Sequence, residues 1–368
     1  MQCEIGFMQN PEGNCIRIGN ICGLGLPGNR LPQGGSLTIG ASTSNSTPLL
    51  DGIASRVGQG GDSTGTDVLG FAGAALQGEA LNAVSDIAAG QAPPLAIWGQ
   101  AHGSRTNVTG HGDQNFGADL PGGLIGFDVR PDSRTLIGAA FDFNQLTAQS
   151  EAGDKATVTS RQLAVYARRR WGKFFASGAM FGGVNDGNVQ SVQNPVPNVF
   201  VAEVLSGNFT GHQFGGAFAA GYRIDAGTGT IEPLIGLDYL HAHQDAFTMH
   251  SAGALIDTFG AVDADVTRLS LASRLADRIR LSSSTMLRWQ AEAGWAHYFG
   301  SAPSVTSEVL ARLPVTLTAP GLGVDAVFGR LGARLGLGSD TELSIDAQGE
   351  LRAHETSAGI AIGGKVRF

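Results

Sequence analysis

Two groups of residues in this sequence have the types that chemistry needs. His241, His243, Asp245 and His250, with Ser251 next, put bases, a carboxylate and a hydroxyl into one short stretch. Closely spaced His and Asp orient a base beside a nucleophile in hydrolases, and the same histidines are potential zinc ligands. The spacing fits no specific motif of either kind, and surface or lumenal histidines account for it as well. The second group is Cys3, Cys15 and Cys22. An odd count with loose spacing is a weak disulfide or metal signal, and the cysteine-free remainder suits an oxidising compartment. The sequence therefore predicts no enzyme, no catalytic residue, no metal site and no cofactor.

The elements that would carry these residues have a period of two. From Leu95 onward the chain divides into strand-like segments at 95–105, 120–130, 134–147, 155–170, 172–186, 205–224, 229–245, 262–280, 284–300, 325–338, 340–353 and 356–368. Several exceed the 9–11 residues that a tilted transmembrane strand needs. One parity is apolar and rich in small residues; the other is charged. Leu269, Leu271, Leu275 and Ile279 alternate with Arg268, Arg274, Arg278 and Arg280. Leu287, Trp289 and Trp295 alternate with Arg288, Glu292 and Tyr298, and Leu331 and Leu335 with Arg330 and Arg334. Leu343, Ile345 and Leu351 oppose Glu342, Asp346 and Glu350; Ile360, Ile362, Val366 and Phe368 oppose Lys365 and Arg367. Lipid accepts small apolar side chains, and a wet lumen accepts arginines and carboxylates. This favours an inside-out barrel over a soluble sandwich or solenoid.

Long and short links alternate along the chain, as they must when every second connection lies on one side of a membrane. The links 106–119, 187–204, 246–261 and 301–324 are long, whereas 131–133, 225–228, 281–283 and the turn near Ser339 are short. The link near His354 departs from this by being short. Trp98, Trp171, Trp289 and Trp295 are read as an interfacial aromatic girdle. Glycine pairs such as Gly122-Gly123, Gly182-Gly183 and Gly215-Gly216 are read as points of close approach and curvature.

Ahead of the strands, residues 67–89 have helical spacing at Leu69, Ala72, Leu76, Ala80, Ala83 and Ile87. Thr66 or Asp67 can cap this run, and Gly90 with Pro93-Pro94 ends it. A helix of that length spans about 34 Å, close to the thickness of a bilayer core. Its Ala and Gly content gives it a narrow girth. Residues 1–65, rich in Gly, Ser and Asn, are expected to be a tail or the remnant of a longer domain. The N-terminus lacks the basic and apolar regions of a signal peptide, so the expectation is a start downstream of the true one or a fragment.

Composition narrows the function classes. No stretch of 18 consecutive apolar residues occurs, so no membrane helix is predicted. With 24 basic and 32 acidic residues, a nucleic-acid binder is a poor fit. Glycine, at 55 of 368 residues, follows no collagen period.

The opening strand Ala96-Ile-Trp98-Gly99-Gln-Ala-His102-Gly103-Ser104, the runs Gly123-Leu-Ile-Gly126-Phe-Asp128 and Leu136-Ile-Gly138-Ala-Ala-Phe141, and the ending Gly359-Ile-Ala-Ile-Gly363-Gly-Lys-Val-Arg-Phe368 together resemble the C-terminal translocator domain of monomeric autotransporters. These proteins are secreted by the type V route of Gram-negative bacteria. The resemblance covers roughly 66–368. It implies a 12-stranded antiparallel transmembrane β-barrel in the outer membrane, all-β apart from an N-terminal helix (66–92) threaded through the lumen of a barrel at 95–368. It implies partners too: outer-membrane lipid and lipopolysaccharide, periplasmic chaperones, the barrel-assembly machinery and the chain's own passenger, with a monomeric barrel. Phe368, Val366, Ile362 and Ile360 match the family's assembly signal. Arg268, Arg274, Arg278, Arg288, Glu292, Arg330, Arg334, Glu342, Asp346 and Glu350 are expected to form a lumenal polar network. Some members cleave their linker at an Asn-Asn pair; here Asn82 precedes Ala83, and no such cleavage is predicted. A short-headed adhesin barrel, a rim-active hydrolase and a small porin are the alternative functions.

Overall fold

The computed structural model describes residues 7–9, 15–17, 95–109, 116–150, 153–193, 203–252, 256–299, 304–309, 313–318, 324–337 and 340–368. The expected helix and its six apolar positions lie outside the described residues. Phe7–Gln9 and Cys15–Arg17 form a two-stranded antiparallel sheet.

The wall consists of 12 antiparallel strands. They are β1 (Leu95–Val108), β2 (Phe116–Asp132), β3 (Thr135–Ser150), β4 (Lys155–Trp171), β5 (Phe174–Gln193), β6 (Glu203–Tyr222), β7 (Gly229–Gln244), β8 (Val262–Arg280), β9 (Thr285–Phe299), β10 (Asp325–Leu337), β11 (Thr341–Arg352) and β12 (Glu355–Arg367). Each pairs with its sequence neighbour, and β12 closes on β1 from Glu355 opposite Val108 to Arg367 opposite Ala96. The Phe368 N–H then donates to the Leu95 carbonyl at 3.1 Å. Closure leaves no free sheet edge, the condition for a strand structure to cross hydrocarbon.

All twelve segments read from alternation form strands, but several run further on the long-loop side. Strand extends into both ends of the links 106–119 and 187–204, and the loops at 246–261 and 301–324 carry hairpins, Phe247–His250 with Ile256–Phe259 and Ser304–Val309 with Leu313–Thr318. The cause is an inversion of polarity along β2–β6. Toward this end the inward positions are apolar (Leu146, Ala148, Val158, Val189, Phe209, Met249), and Phe247 stacks on Phe259 with ring centroids 4.8 Å apart. The outward positions there, such as Thr147, Thr157 and Asn188, are polar. Above the lipid edge the wall is therefore patterned like a soluble barrel, and alternation tuned to a lipid-facing apolar parity stops short.

Tight turns close the opposite end. The Asp132 carboxylate accepts the Arg134 backbone N–H at 2.7 Å and the Thr135 hydroxyl at 3.1 Å, a side-chain-capped turn. Gly172, at φ +64°, lets Trp171 and Phe174 pair across two residues, a conformation that a Cβ disfavours.

Trp98 departs from the girdle expectation. Leu95 and Ile97 face outward, so Trp98 points into the barrel, where it is only 5% exposed. Its ring lies across Gly126 of β2, where an added methyl would sit 2.5 Å away. The indole N–H donates to the Tyr166 hydroxyl at 3.1 Å, and the Tyr166 ring covers Gly138 in the same manner. The pair clamps β1–β4 together. Gly122 and Gly215 likewise make room for side chains of the wall itself, His102 and Phe181 respectively.

Candidate functional site

The outer surface defines the site's orientation. Ile125, Phe141, Leu163, Leu237, Leu331 and Ile362 face outward with about half of each side chain exposed, an arrangement that water penalises and lipid does not. Outward ion pairs bound this belt. Arg161–Asp186 (3.1 Å), His241–Asp265 (3.0 Å) and His297–Asp325 (2.9 Å) mark the long-loop edge, and Lys173–Asp225 (2.8 Å) marks the short-turn edge. On β4 the interval between the outward Arg161 and Arg169 is about 26 Å along the strand, hence about 20 Å along the normal of a wall tilted by about 40°. At the short-turn edge Lys173 and Asp225 hold each other charged. Their mutual hydrogen bond raises the lysine's pKa and lowers the aspartate's.

The lumen bears the opposite character. In one chain of contacts, Arg223 meets Glu232 (3.3 Å), Glu232 meets Arg274 (3.4 Å), Arg274 meets Glu292 (2.9 Å) and Glu292 meets Arg330 (3.0 Å). It laces β7–β10 together. A second runs from Arg288 to Glu342 (3.1 Å) and from Arg334 to Asp346 (3.1 Å), joining β9–β11. The third crosses the interior. Arg268 of β8 reaches Asp238 of β7 (3.4 Å) and Glu350 of β11 (3.2 Å), passing over β9 and β10. Glu350 also accepts the Tyr298 hydroxyl (2.6 Å) and Arg352 (3.0 Å), while the Arg268 guanidinium sits 4.7 Å from the Phe328 ring centre. Charges this deep are tolerated because they are paired; removing one partner of such a pair typically costs about 3–5 kcal/mol. On the facing wall His102 contacts Asp142 at 3.1 Å, Ser160 links Asn185 and Gln213, and Asp128, Arg130, Arg168 and Arg170 are buried toward the short-turn end.

The charged residues singled out from alternation thus sit together in the lumen, except that Arg278 is exposed at the short-turn mouth and Arg288 is partly open. Alternation did not bring out Glu232, Asp238 or Arg223. On β7 both parities carry leucines, Leu234 and Leu240 inward against Leu237 outward, so the two carboxylates on the inward parity were the only usable signal. Ile360, Ile362 and Val366 face outward, as do Trp171, Trp289 and Trp295, and Phe368 is 77% exposed.

The histidine stretch does not assemble. His243 is opposite His212 and His250 opposite Ser206 in the register of β6, which separates them by about 20 Å along the strand. His243 keeps Asp245 within 3.4 Å, but both lie on the outer face, where His241 and His243 also contact Asp265 and Asp263. Among the described residues, no group of His, Cys, Asp and Glu is arranged to hold a metal ion.

A closed wall, apolar outside and ionic inside, with tight turns at one end and long extensions at the other, is that of an outer-membrane β-barrel. The family described as autotransporter beta-domain matches residues 97–348, and the chain belongs to that family. Among solved structures, it is similar to the translocator domain of the autotransporter NalP from Neisseria meningitidis, at 16% identity and a TM-score of 0.60 over 77% of this chain and 92% of that one. It is also similar to the beta domain of the Bordetella autotransporter Brka, at 15% identity and a TM-score of 0.54 over 76% and 100%. Comparison with curated protein sequences gives no match. The protein is an outer-membrane translocator domain that serves export or display of an N-terminal passenger, and its family is one of translocators, not of enzymes.

Proposed function

We propose that the barrel carries residues 1–65, and whatever precedes them, as its passenger, and that residues 66–92 lie in the lumen as a helix joining passenger to β1. The observation that carries this reading is the entry point. Leu95 begins β1 at the short-turn, periplasmic end, so a segment preceding it must traverse the lumen to reach the surface. A helix of about 34 Å matches that path, and the ionic chains keep the wall rigid around it. Transport then draws on passenger folding and the barrel-assembly machinery, with no nucleotide or cofactor.

The same reading assigns the remaining parts. The outward Ile360, Ile362 and Val366 and the terminal Phe368 present an apolar, aromatic-ended strand to the assembly machinery after delivery by periplasmic chaperones. Trp171, Trp289 and Trp295 anchor the wall at the two lipid edges, and the polar outer face above the belt meets the lipopolysaccharide headgroups. Planar-bilayer conductance tests the lumenal helix. The full chain should conduct weakly and the 67–89 deletion strongly. An intact chain that conducts as a steady open pore would favour a porin and overturn the reading.

A further inference from the structure

The outer face of β4–β6 carries a recess of about 480 Å³ above the lipid edge. One side of it, Ala246 and Phe247, comes from an irregularity in pairing. Gln244 of β7 lies opposite Gly211, yet six residues further on His250 lies opposite Ser206, only five residues back along β6. The extra residue is a bulge at Asp245-Ala246, where regular strand is interrupted; such bulges re-aim side chains beside functional sites. The floor consists of two register rows, Thr157–Asn188–Asn208 and Thr159–Asp186–Thr210. All six side chains point outward, and each carries a hydroxyl, an amide or a carboxylate. Neighbouring groups hold them in place. The Asn188 side-chain amide donates to the Asn208 side-chain carbonyl at 3.0 Å, the Thr210 hydroxyl donates to Asp245, and Arg161 holds Asp186 at 3.1 Å. The lining contains no lysine or arginine. Fixed donors and acceptors about one strand spacing (4.8 Å) apart, without surplus basic charge, suit the hydroxyls of a sugar ring rather than a phosphate.

We propose that this recess binds the first sugars of a lipopolysaccharide molecule seated in the outer leaflet. The proposal rests on the reading that the polar outer face above the belt meets lipopolysaccharide, and it gives that contact a defined place. Height selects the occupant. On β4, Thr159 and Thr157 lie four and six residues beyond the lipid-facing Leu163, hence about 10 and 15 Å above it along the membrane normal. Sugars attached to a lipid of the outer leaflet occupy this level. The apolar face below supplies the second feature. There the outward Gly182 stands in register between Leu163 and Phe214, and a methyl added to it would meet only the Gln213 carbonyl oxygen, at 3.9 Å. The missing side chain leaves a furrow between two large apolar neighbours, of the width of an acyl chain. A ligand with sugars above and hydrocarbon beneath matches both the recess and the furrow.

Binding of lipopolysaccharide to the delipidated full chain in detergent tests this, with only heat-modifiable, folded barrel scored. The probe is a short-chain lipopolysaccharide, dephosphorylated so that ion pairing with phosphate contributes nothing, and phosphatidylglycerol is the control lipid. T159A/N188A should weaken lipopolysaccharide binding about tenfold, the effect of losing two hydrogen bonds of modest strength, and leave phosphatidylglycerol binding unchanged. N107A, which removes an exposed amide from the outer face of β1, should change neither. If the unaltered chain prefers lipopolysaccharide to phosphatidylglycerol but T159A/N188A loses no more than N107A, the broader contact stands and the site is overturned. If the unaltered chain shows no such preference, both fall. Free core oligosaccharide, which lacks acyl chains, should compete weakly. Competition as strong as that of the intact molecule would overturn the outer-leaflet source and point to a glycan from outside the membrane.

Discussion

Replacing Glu292 by alanine removes the acidic centre shared by two buried guanidinium groups. Glu292 receives two hydrogen bonds from Arg274, at 3.0 and 2.9 Å, and one from Arg330 at 3.0 Å, and all three residues are at most 4% exposed. Arg274 keeps a longer contact with Glu232 at 3.4 Å, so part of its charge stays compensated. Leaving a buried charge short of its partner typically costs about 3–5 kcal/mol, which sets the expected loss for E292A. E292Q, which retains shape and some hydrogen bonding, should lose less. Combining E292A with R274M and R330M should recover most of the loss, because well-packed apolar replacements of buried ion pairs are often neutral. Reversible urea unfolding of the barrel in lipid vesicles, followed by tryptophan fluorescence, gives the free energies. A cost below about 1 kcal/mol for E292A would mean that water already screens the site, and would refute the picture of a rigid, ion-laced wall.

Three further outcomes follow from the same geometry. L331R places a charge at the centre of the outward belt and should destabilise by about 2–4 kcal/mol in lipid vesicles, whereas the lumenal neighbour Arg330 already carries a charge within a paired network. W98F should cost about 1 kcal/mol, the worth of its hydrogen bond to Tyr166, and should leave the response of tryptophan emission to lipid exchange intact, since Trp98 faces inward while Trp171, Trp289 and Trp295 face outward. In a carboxyl-resolved titration, Asp225 should titrate below the ordinary aspartate range and return to it in K173A. A carboxylate whose folded pKa is depressed stabilises above its unfolded pKa and loses that contribution as pH falls through the folded value. The Lys173–Asp225 pair should therefore weaken only in acid, and salt should diminish it.

The wall was legible because lipid and lumen impose opposite demands on alternate residues, most cleanly on β8–β12, where arginines and carboxylates stand against leucines and isoleucines. The extracellular extensions were less so. There the inside becomes apolar at Leu146, Val158 and Val189 while Thr147 and Thr157 face out, reversing the sign of the signal without changing its period. Trp98 was assigned to the girdle by type and place near a strand start, but parity beside Leu95 and Ile97 turns it inward to Tyr166. The ionic partners were only half legible. Parity shows that Arg268 faces the lumen, yet its contact with Glu350 depends on barrel curvature bringing β8 and β11 together, which no local pattern encodes.

Surface accessibility of the N-terminus tests the central claim most directly. With an epitope fused ahead of residue 66 behind an export signal, externally added protease should remove the epitope from intact Gram-negative cells while the barrel remains in the outer membrane and heat-modifiable. An epitope that stays protected until the outer membrane is permeabilised, with the barrel correctly folded, would contradict translocation.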